Sequence, residues 1–246
     1  MKILVCVSKT PETTAKIAFS ADGKSFSSAG VNFIMNPYDE WYALVRALEV
    51  KEQVGGEVII ISVGGTDYDT ILRKGLAIGA DKAVRVDAEP VSSGMVSAQI
   101  ADYAKDQGFD MVLLGKETID YNGSEVGSML GELLSMPFVS YASKMDLQGN
   151  TATIYRDIEG GEEILEVDTP FVLSAAKGLA EQRIPNMRGI MMAKSKPLEV
   201  RPALNYEPKV EVVAFSLPPA KSGVHLVDPD DMDELVRLLH EESKVI

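Results

Sequence analysis

Leu113-Leu114-Gly115-Lys116-Glu117-Thr118-Ile119-Asp120-Tyr121-Asn122-Gly123-Ser124-Glu125-Val126-Gly127-Ser128 decides how this chain folds. The apolar run over residues 110–114 reads as a buried strand, and a polar loop comes after it. A helix over residues 125–134 starts near Gly123 or Ser124 and stops before Pro137. In open parallel sheets, ligands sit beyond the carboxyl ends of the strands. A glycine-rich helix start at that place offers free backbone N–H groups and the positive end of the helix dipole to a phosphate. Gly123, Gly127 and Gly131 leave a bare stripe on one helix face. The stripe suits close packing of the helix on a sheet equally well.

On either side of this segment, short apolar runs alternate with helical periodicity. Residues 2–7 and 57–63 read as strands, separated by a helix over 40–53 with Trp41, Leu44, Val45 and Leu48 near one face. Gly55-Gly56 ends that helix. A helix over 68–78 leaves through Gly79-Ala80-Asp81, followed by a strand over 82–86 and a helix over 92–105; residues 171–175 return to a buried strand. This alternation predicts the α/β class: an open, mostly parallel sheet with helices on both faces, of the Rossmann-like, adenine-nucleotide-binding kind. Two stretches break the alternation. Residues 17–34, with Asp22-Gly23 as the turn, read as an inserted hairpin; residues 147–167, with turns at Gly149-Asn150 and Gly160-Gly161, read as a second antiparallel excursion.

The chain has 246 residues, with 24 Lys+Arg against 37 Asp+Glu and a net charge of −13, which argues against a nucleic-acid partner. Its 46% hydrophobic and 25% charged residues are those of a globular protein with a sizeable core. One cysteine, Cys6, excludes an internal disulfide and a cysteine-based zinc site. Both histidines, His225 and His240, fall in the last 22 residues, so the usual hydrolase and metal chemistries lack their commonest side chain. The apolar start over residues 3–7 is shorter than the roughly 7–15 residues of a signal sequence or the roughly 20 of a membrane helix. With a free thiol, it predicts a cytoplasmic protein with no direct membrane insertion. The G-x-G-x-x-G fingerprint, the P-loop, the nucleophile elbow and C-x-x-C are all missing. Glu117 and Asp120 have no histidine beside them in sequence and read as solvated loop carboxylates rather than an acid–base pair. A second helix start, Met35-Asn36-Pro37-Tyr38-Asp39-Glu40, offers Asn36 as a cap and Tyr38 as a ring for stacking.

Beyond Gly178 the composition changes. Residues 183–198 hold four basic residues (Arg183, Arg188, Lys194, Lys196), no acids, and the methionines Met187, Met191 and Met192. Uncompensated cations beside adaptable thioethers suit a contact patch for an acidic partner, although methionines at such spacing also suit a core. Prolines at 197, 202, 208, 218 and 219 predict an extended segment. It leads into a helix over 228–240, with Asp228 as N-cap and Pro229 at its first position. Its stripe of Met232, Leu235, Val236, Leu238 and Leu239 has little of its own domain left to bury it, and a partner chain is a natural acceptor. The chain therefore divides into a nucleotide-binding α/β domain over 1–200, including a loop at 183–198, and an arm with a terminal helix over 201–246.

These motifs, in this order, resemble the β subunit of electron transfer flavoprotein along essentially the whole chain. The resemblance is carried by Lys2-Ile3-Leu4-Val5-Cys6-Val7, Met35-Asn36-Pro37, Leu76-Ala77-Ile78-Gly79-Ala80-Asp81, residues 113–127, Arg156-Asp157-Ile158-Glu159-Gly160-Gly161 and Arg188-Gly189-Ile190-Met191-Met192-Ala193-Lys194. It implies an electron carrier rather than an enzyme: a heterodimer in which an α subunit carries a redox FAD while this subunit holds a structural AMP. Such a carrier takes electrons from flavin dehydrogenases, such as the acyl-CoA dehydrogenases of fatty acid oxidation, to a quinone oxidoreductase or another acceptor. By resemblance, the AMP pocket comprises Cys6, Asn36, Pro37, Tyr38, Asp39 and Val63. It continues through Glu117, Thr118, Ile119, Asp120, Tyr121, Asn122, Gly123, Ser124, Glu125, Val126, Gly127 and Ser128. The dehydrogenase-recognition loop maps to Met187, Arg188, Ile190, Met191 and Lys194, with Met187 where the family has a leucine anchor. The tail helix resembles the arm that embraces the α subunit.

Two departures bear on the pocket. Glu125-Val126-Gly127 stands where AMP-binding members have Gln-Thr-Gly, which removes a hydroxyl donor and adds a carboxylate near the anion. Backbone amides remain available, so AMP is the expected occupant. A valine there also occurs in electron-bifurcating relatives, which place a second FAD in this site and use NADH. Those relatives carry a Gly-Ala-Asp-Thr-type segment where this chain has Val91-Ser92-Ser93-Gly94-Met95. A free-standing nucleotide-binding or hydrolysing module is the reading from another class.

Overall fold

In the computed structural model, which describes residues 1–220 and 223–246, regular elements succeed one another as β1 (Lys2–Cys6), β2 (Lys9–Pro11), β3 (Phe33–Met35), α1 (Asp39–Val54), β4 (Glu57–Val63), α2 (Asp69–Ile78), β5 (Lys82–Asp87), α3 (Ser93–Ala104), β6 (Met111–Gly115), α4 (Val126–Leu134), β7 (Phe138–Gln148), β8 (Thr151–Ile158), β9 (Gly161–Asp168), β10 (Phe171–Ala175), α5 (Met187–Ala193), β11 (Leu198–Pro202) and α6 (Met232–Arg237). Nine strands form one sheet in the order β11-β5-β4-β1-β6-β10-β7-β8-β9. It is parallel from β11 to β7 and antiparallel through β7, β8 and β9. No helix among the described residues is long and apolar enough to cross a membrane.

The continuous apolar runs of the central strands result from burial on both sheet faces. Ile3 and Val5 of β1 point into a core shared with α1 and α2, whereas Leu4 and Cys6 point into one shared with α3 and α4. The sheet grows from β1 in both directions, to β4 on one side and β6 on the other. The gap between the carboxyl ends of β1 and β6 is thus the topological switch point, where such sheets bind ligands. A side chain at Gly115, the last residue of β6, would put its Cβ 2.9 Å from the Glu40 backbone nitrogen. Only a bare backbone lets α1 start against this strand end.

Gly127 and Gly131 also serve packing. A Cβ at Gly127 would lie 2.6 Å from the Phe138 ring, and one at Gly131 would lie 2.9 Å from the Phe138 Cβ. Those two positions of the glycine stripe seat α4 on β7.

Four local expectations need correction. The insertion is not one hairpin over 17–34: Phe19 and Phe26 meet in a single bridge about the Asp22-Gly23 turn, and the ladder that carries it pairs β2 with β3. The excursion over 147–167 begins earlier, at Phe138, because β7 pairs with β10 in its first half and β8 in its second. Part of the proline-bearing segment is sheet, since β11 pairs with β5 despite Pro202 at its end. The tail helix starts later: the Asp228 carboxylate accepts the Asp230 N–H at 3.0 Å in a turn, and Asp231 caps α6 by accepting the Glu234 N–H at 3.1 Å. With several aspartates in a row, the turn takes the first and the helix the last. Positions 221–222 of the expected arm lie outside the described residues.

Gly115→Ala should cost about 1–3 kcal/mol of stability by overpacking against the start of α1. A urea midpoint unchanged from the parent would show that α1 moves aside freely.

Candidate functional site

A cleft of about 400 Å³ opens at the β1/β6 switch point. Its wall comes from the end of β1 and the residues just past it (Cys6, Val7, Ser8, Lys9), the end of β4 (Ser62, Val63), Tyr68, and α3 with the residues before it (Pro90, Val91, Ser92, Ser93, Val96, Ile100). The end of β6 and the loop beyond it complete the wall through Leu114, Gly115, Lys116, Glu117, Thr118, Asp120, Tyr121, Gly123, Ser124, Glu125 and Val126. Glu40 lines it from α1, and Val210 and Val212 line it from the arm.

Asn36 holds this wall in place. It is completely buried; its side-chain nitrogen donates to the Glu117 carbonyl at 3.0 Å and its oxygen accepts the Ile119 N–H at 3.0 Å. It therefore does not cap α1, as its sequence position suggested. Tyr38 occupies the cap position, with φ of 64° and no side-chain cap bond. The reason is satisfaction: a buried carboxamide must use both its donor and its acceptor, and the neighbouring loop offers one of each.

Beyond Ile119 the loop turns on two left-handed residues, Asn122 (φ 50°) and Ser124 (φ 53°). Neither the backbone N–H groups of residues 123–128 nor a side-chain cap at Glu125 closes the helix start within the described chain. The first turn of α3 meets the same cleft. Ser92 caps it by accepting the Met95 N–H at 3.2 Å, and a Cβ on Gly123 would lie 3.8 Å from the Ser93 hydroxyl. Two helix amino ends thus converge on one end of the cleft, where their partial positive charge suits an anion.

The side-chain charges around the cleft run the other way, with Glu40, Glu117, Asp120 and Glu125 against Lys9 and Lys116. Lys9 is already engaged by the Asp67 carboxylate and lies over the Phe33 and Tyr68 rings at 4.3 and 4.7 Å. Burial pushes the Glu40 carboxyl up to about 8, against the Ser8 N–H that its Oε2 accepts at 2.6 Å. Glu40 is therefore largely neutral at pH 7. Burial, seconded by Glu40, pushes the Cys6 thiol up as well, so Cys6 is an apolar wall and not a nucleophile. Half-burial raises Asp39 to about 6, opposed by Lys116 and reinforced by Glu117. Among the described residues no group of three His, Cys, Asp or Glu could hold a metal ion.

Ten of the residues singled out in sequence meet in the cleft: Cys6, Val63, Glu117, Thr118, Asp120, Tyr121, Gly123, Ser124, Glu125 and Val126. Pro37, Tyr38, Asp39 and Ile119 line a second cavity of about 350 Å³ on the far side of the same wall, with Tyr42 and Lys177. Asn36 lies within the wall, Gly127 lies beneath Phe138, and the exposed Ser128 donates its hydroxyl to the Glu125 carbonyl at 2.9 Å. Asn122 belongs to the turn, its N–H bonded to the Thr118 carbonyl at 2.9 Å. Among the polar lining residues, sequence reasoning assigned no site role to Ser8, Lys9, Ser62, Tyr68, Ser92, Ser93 and Lys116, nor to Glu40 at the end of the second candidate segment, and it also missed Val210 and Val212. The Ser92-Ser93 helix start was the one legible signal among them.

The methionine-rich stretch forms α5, capped by Asn186, which accepts the Gly189 N–H at 2.8 Å. Gly189 lets it settle on α2: a Cβ there would lie 2.4 Å from the Ala77 carbonyl oxygen. Met187 and Met191 stay 75% and 69% exposed, and Ile190 and Met192 are exposed beside them, so the stretch is surface and not core. Its basic residues are not all uncompensated. Arg183 pairs with Glu52 at 2.6 Å, and Lys196 donates to the Leu76 and Ala80 carbonyls at 3.0 and 2.6 Å. Arg188 and Lys194 have no acidic partner among the described residues.

A family model described as "Electron transfer flavoprotein domain" matches residues 24–205. The chain is 35% identical to "Electron transfer flavoprotein subunit beta" of Bacillus subtilis, covering 100% of both chains. It is 35% identical to the protein of that name from Syntrophomonas wolfei, over 94% of this chain and 92% of the relative. It is 33% identical to "Electron transfer flavoprotein subunit beta, mitochondrial" of Arabidopsis thaliana, again over 100% of both.

Glu40 makes the pH dependence of folding testable. Its carboxyl keeps its proton to about 8 in the folded chain but releases it near the ordinary value of 4.5 when unfolded. Between those values the unfolded state binds fewer protons, so this group's contribution to stability declines as pH rises. Glu40→Gln should gain stability relative to the parent as pH goes from 5 to 8, read from paired urea titrations. A difference constant across that range would contradict the assignment.

Proposed function

The chain belongs to the electron transfer flavoprotein family, among its β subunits, and from that premise we propose that it holds AMP in the switch-point cleft as a structural ligand. One observation carries the reading: the amino ends of α3 and α4, with the amides of residues 123–128 that have no partner among the described residues, converge at one end of a cleft whose walls include Cys6, Val7, Val63, Ile100 and Leu114. The amides suit a phosphate, and the apolar walls suit a base. The carboxylates of Glu117, Asp120 and Glu125 would repel the phosphate, so main-chain groups carry its binding. A volume of about 400 Å³ lies towards the small end of ligand pockets and suits a mononucleotide better than FAD.

On this reading the AMP does no bond chemistry; it ties β1, β4, α3 and α4 together where the loop would otherwise leave its amides bare. An α subunit supplies FAD as the one-electron and two-electron carrier. Two exposed surfaces suit partners. The apolar α5 face, with Met187 at its start and Arg188 and Lys194 beside it, suits a flavin dehydrogenase with an acidic rim. The tail, with Met232, Leu235 and Val236 exposed, suits the α subunit. Electrons then pass to a quinone oxidoreductase or an equivalent acceptor. The second reading, an electron-bifurcating subunit with FAD in this cleft and NADH as donor, draws on Val126, which brings no hydroxyl to the phosphate.

Purification with the α subunit, then acid release and quantitation of cofactors, tests this. One FAD and one AMP per heterodimer is the expected count. Two FAD without AMP would favour the bifurcating reading, and a colourless monomer that hydrolyses ATP would overturn both.

A further inference from the structure

The inserted segment between β2 and β3 has no part in the sheet or in the cleft wall, yet the arm reaches it. Phe215 stacks on Phe19 with ring centroids 5.1 Å apart and an interplanar angle of 12°, and its N–H donates to the Gly23 carbonyl at 2.7 Å. Gly23 takes φ of 68°, and a Cβ on it would come within 3.2 Å of the Phe215 carbonyl oxygen. The turn is therefore shaped to receive this residue closely. At the other end of the same arm segment, the buried Gln99 side chain holds Leu204 by a reciprocal pair, donating to its carbonyl at 2.8 Å and accepting its N–H at 2.7 Å.

Between these two anchors, residues 205–214 make no hydrogen bond to the rest of the described chain. Val210 and Val212, in the middle of this span, line the cleft while staying 65% and 47% exposed. We propose that residues 204–215 form a strap over the cleft, hinged at Leu204 and latched at Phe215 by the inserted turn, and that opening the latch sets the rate at which the ligand enters and leaves. The Leu204 anchor adjoins β11 and is held by a buried carboxamide. The Phe215 latch is one ring stack and one backbone hydrogen bond. The latch is accordingly the end that opens.

This rests on the nucleotide reading of the cleft but concerns exchange rather than identity. The test is stopped-flow exchange of a fluorescent methylanthraniloyl-AMP on the purified complex with the α subunit, comparing the parent with Phe215→Ala and, on the other side of the stack, Phe19→Ala. Each variant should release the probe about ten-fold faster, the scale set by losing one aromatic pair and loosening one hydrogen bond. Association should accelerate too, so affinity changes less than either rate, and the double variant should be no faster than the singles. FAD content should stay at the parental value. Parental exchange rates in both variants would overturn the strap while leaving the nucleotide reading intact. A parent complex that takes up no AMP probe would overturn both.

Discussion

The site depends on one buried carboxamide. Asn36 has no access to water, so both ends of its amide must find partners in the chain. It finds them in the loop beyond β6, at the Glu117 carbonyl and the Ile119 N–H. This pair fixes the start of α1 against the start of that loop, whose Lys116 and Glu117 line both cavities. It also sets where the loop begins its climb through Asn122 and Ser124, and thereby where the free amides of α4 point. Gly115 makes the approach possible, since any side chain there would meet the backbone of Glu40.

The electrostatics of the cleft rest on a division of labour. Its carboxylates outnumber its lysines, which would be a poor design for an anion if side chains did the binding. The backbone supplies the positive potential instead, from two helix amino ends. Glu40 escapes the conflict because burial keeps it protonated near neutrality. Lys9 is held by Asp67 and two aromatic rings. The acidic net charge of the chain is compatible with a cleft suited to phosphate for this reason.

Most of the sheet was legible because its strands are buried on both faces and so read as unbroken apolar runs. Val58, Ile59, Ile60 and Ile61 admit no other element of that length between glycine and helix. β7 was harder to see: Ser140, Tyr141, Ser143 and Lys144 interrupt its apolar pattern, since this strand changes neighbours midway. Loop residues 117–126 were recognisable from their place after a buried strand. Glu40 and the arm valines were not, because each reaches the cleft through tertiary packing that local spacing does not encode. The bracing role of Asn36 was not legible. An Asn-Pro pair before a helix resembles a cap, and only burial turned it into a brace. The basic stretch was half legible for a similar cause: charge is visible in sequence, but not the Glu52 carboxylate or the helix carbonyls that absorb Arg183 and Lys196.

If this brace presents the loop amides to the nucleotide, its removal must weaken nucleotide binding. Calorimetric titration of AMP into nucleotide-stripped parent and Asn36→Ala complexes reads that most directly. The substitution leaves a buried N–H and a buried carbonyl without partners, at about 1–3 kcal/mol each, and frees the loop. Affinity should fall by about ten-fold or more, with FAD content retained. Equal affinity in a folded Asn36→Ala complex would contradict the brace.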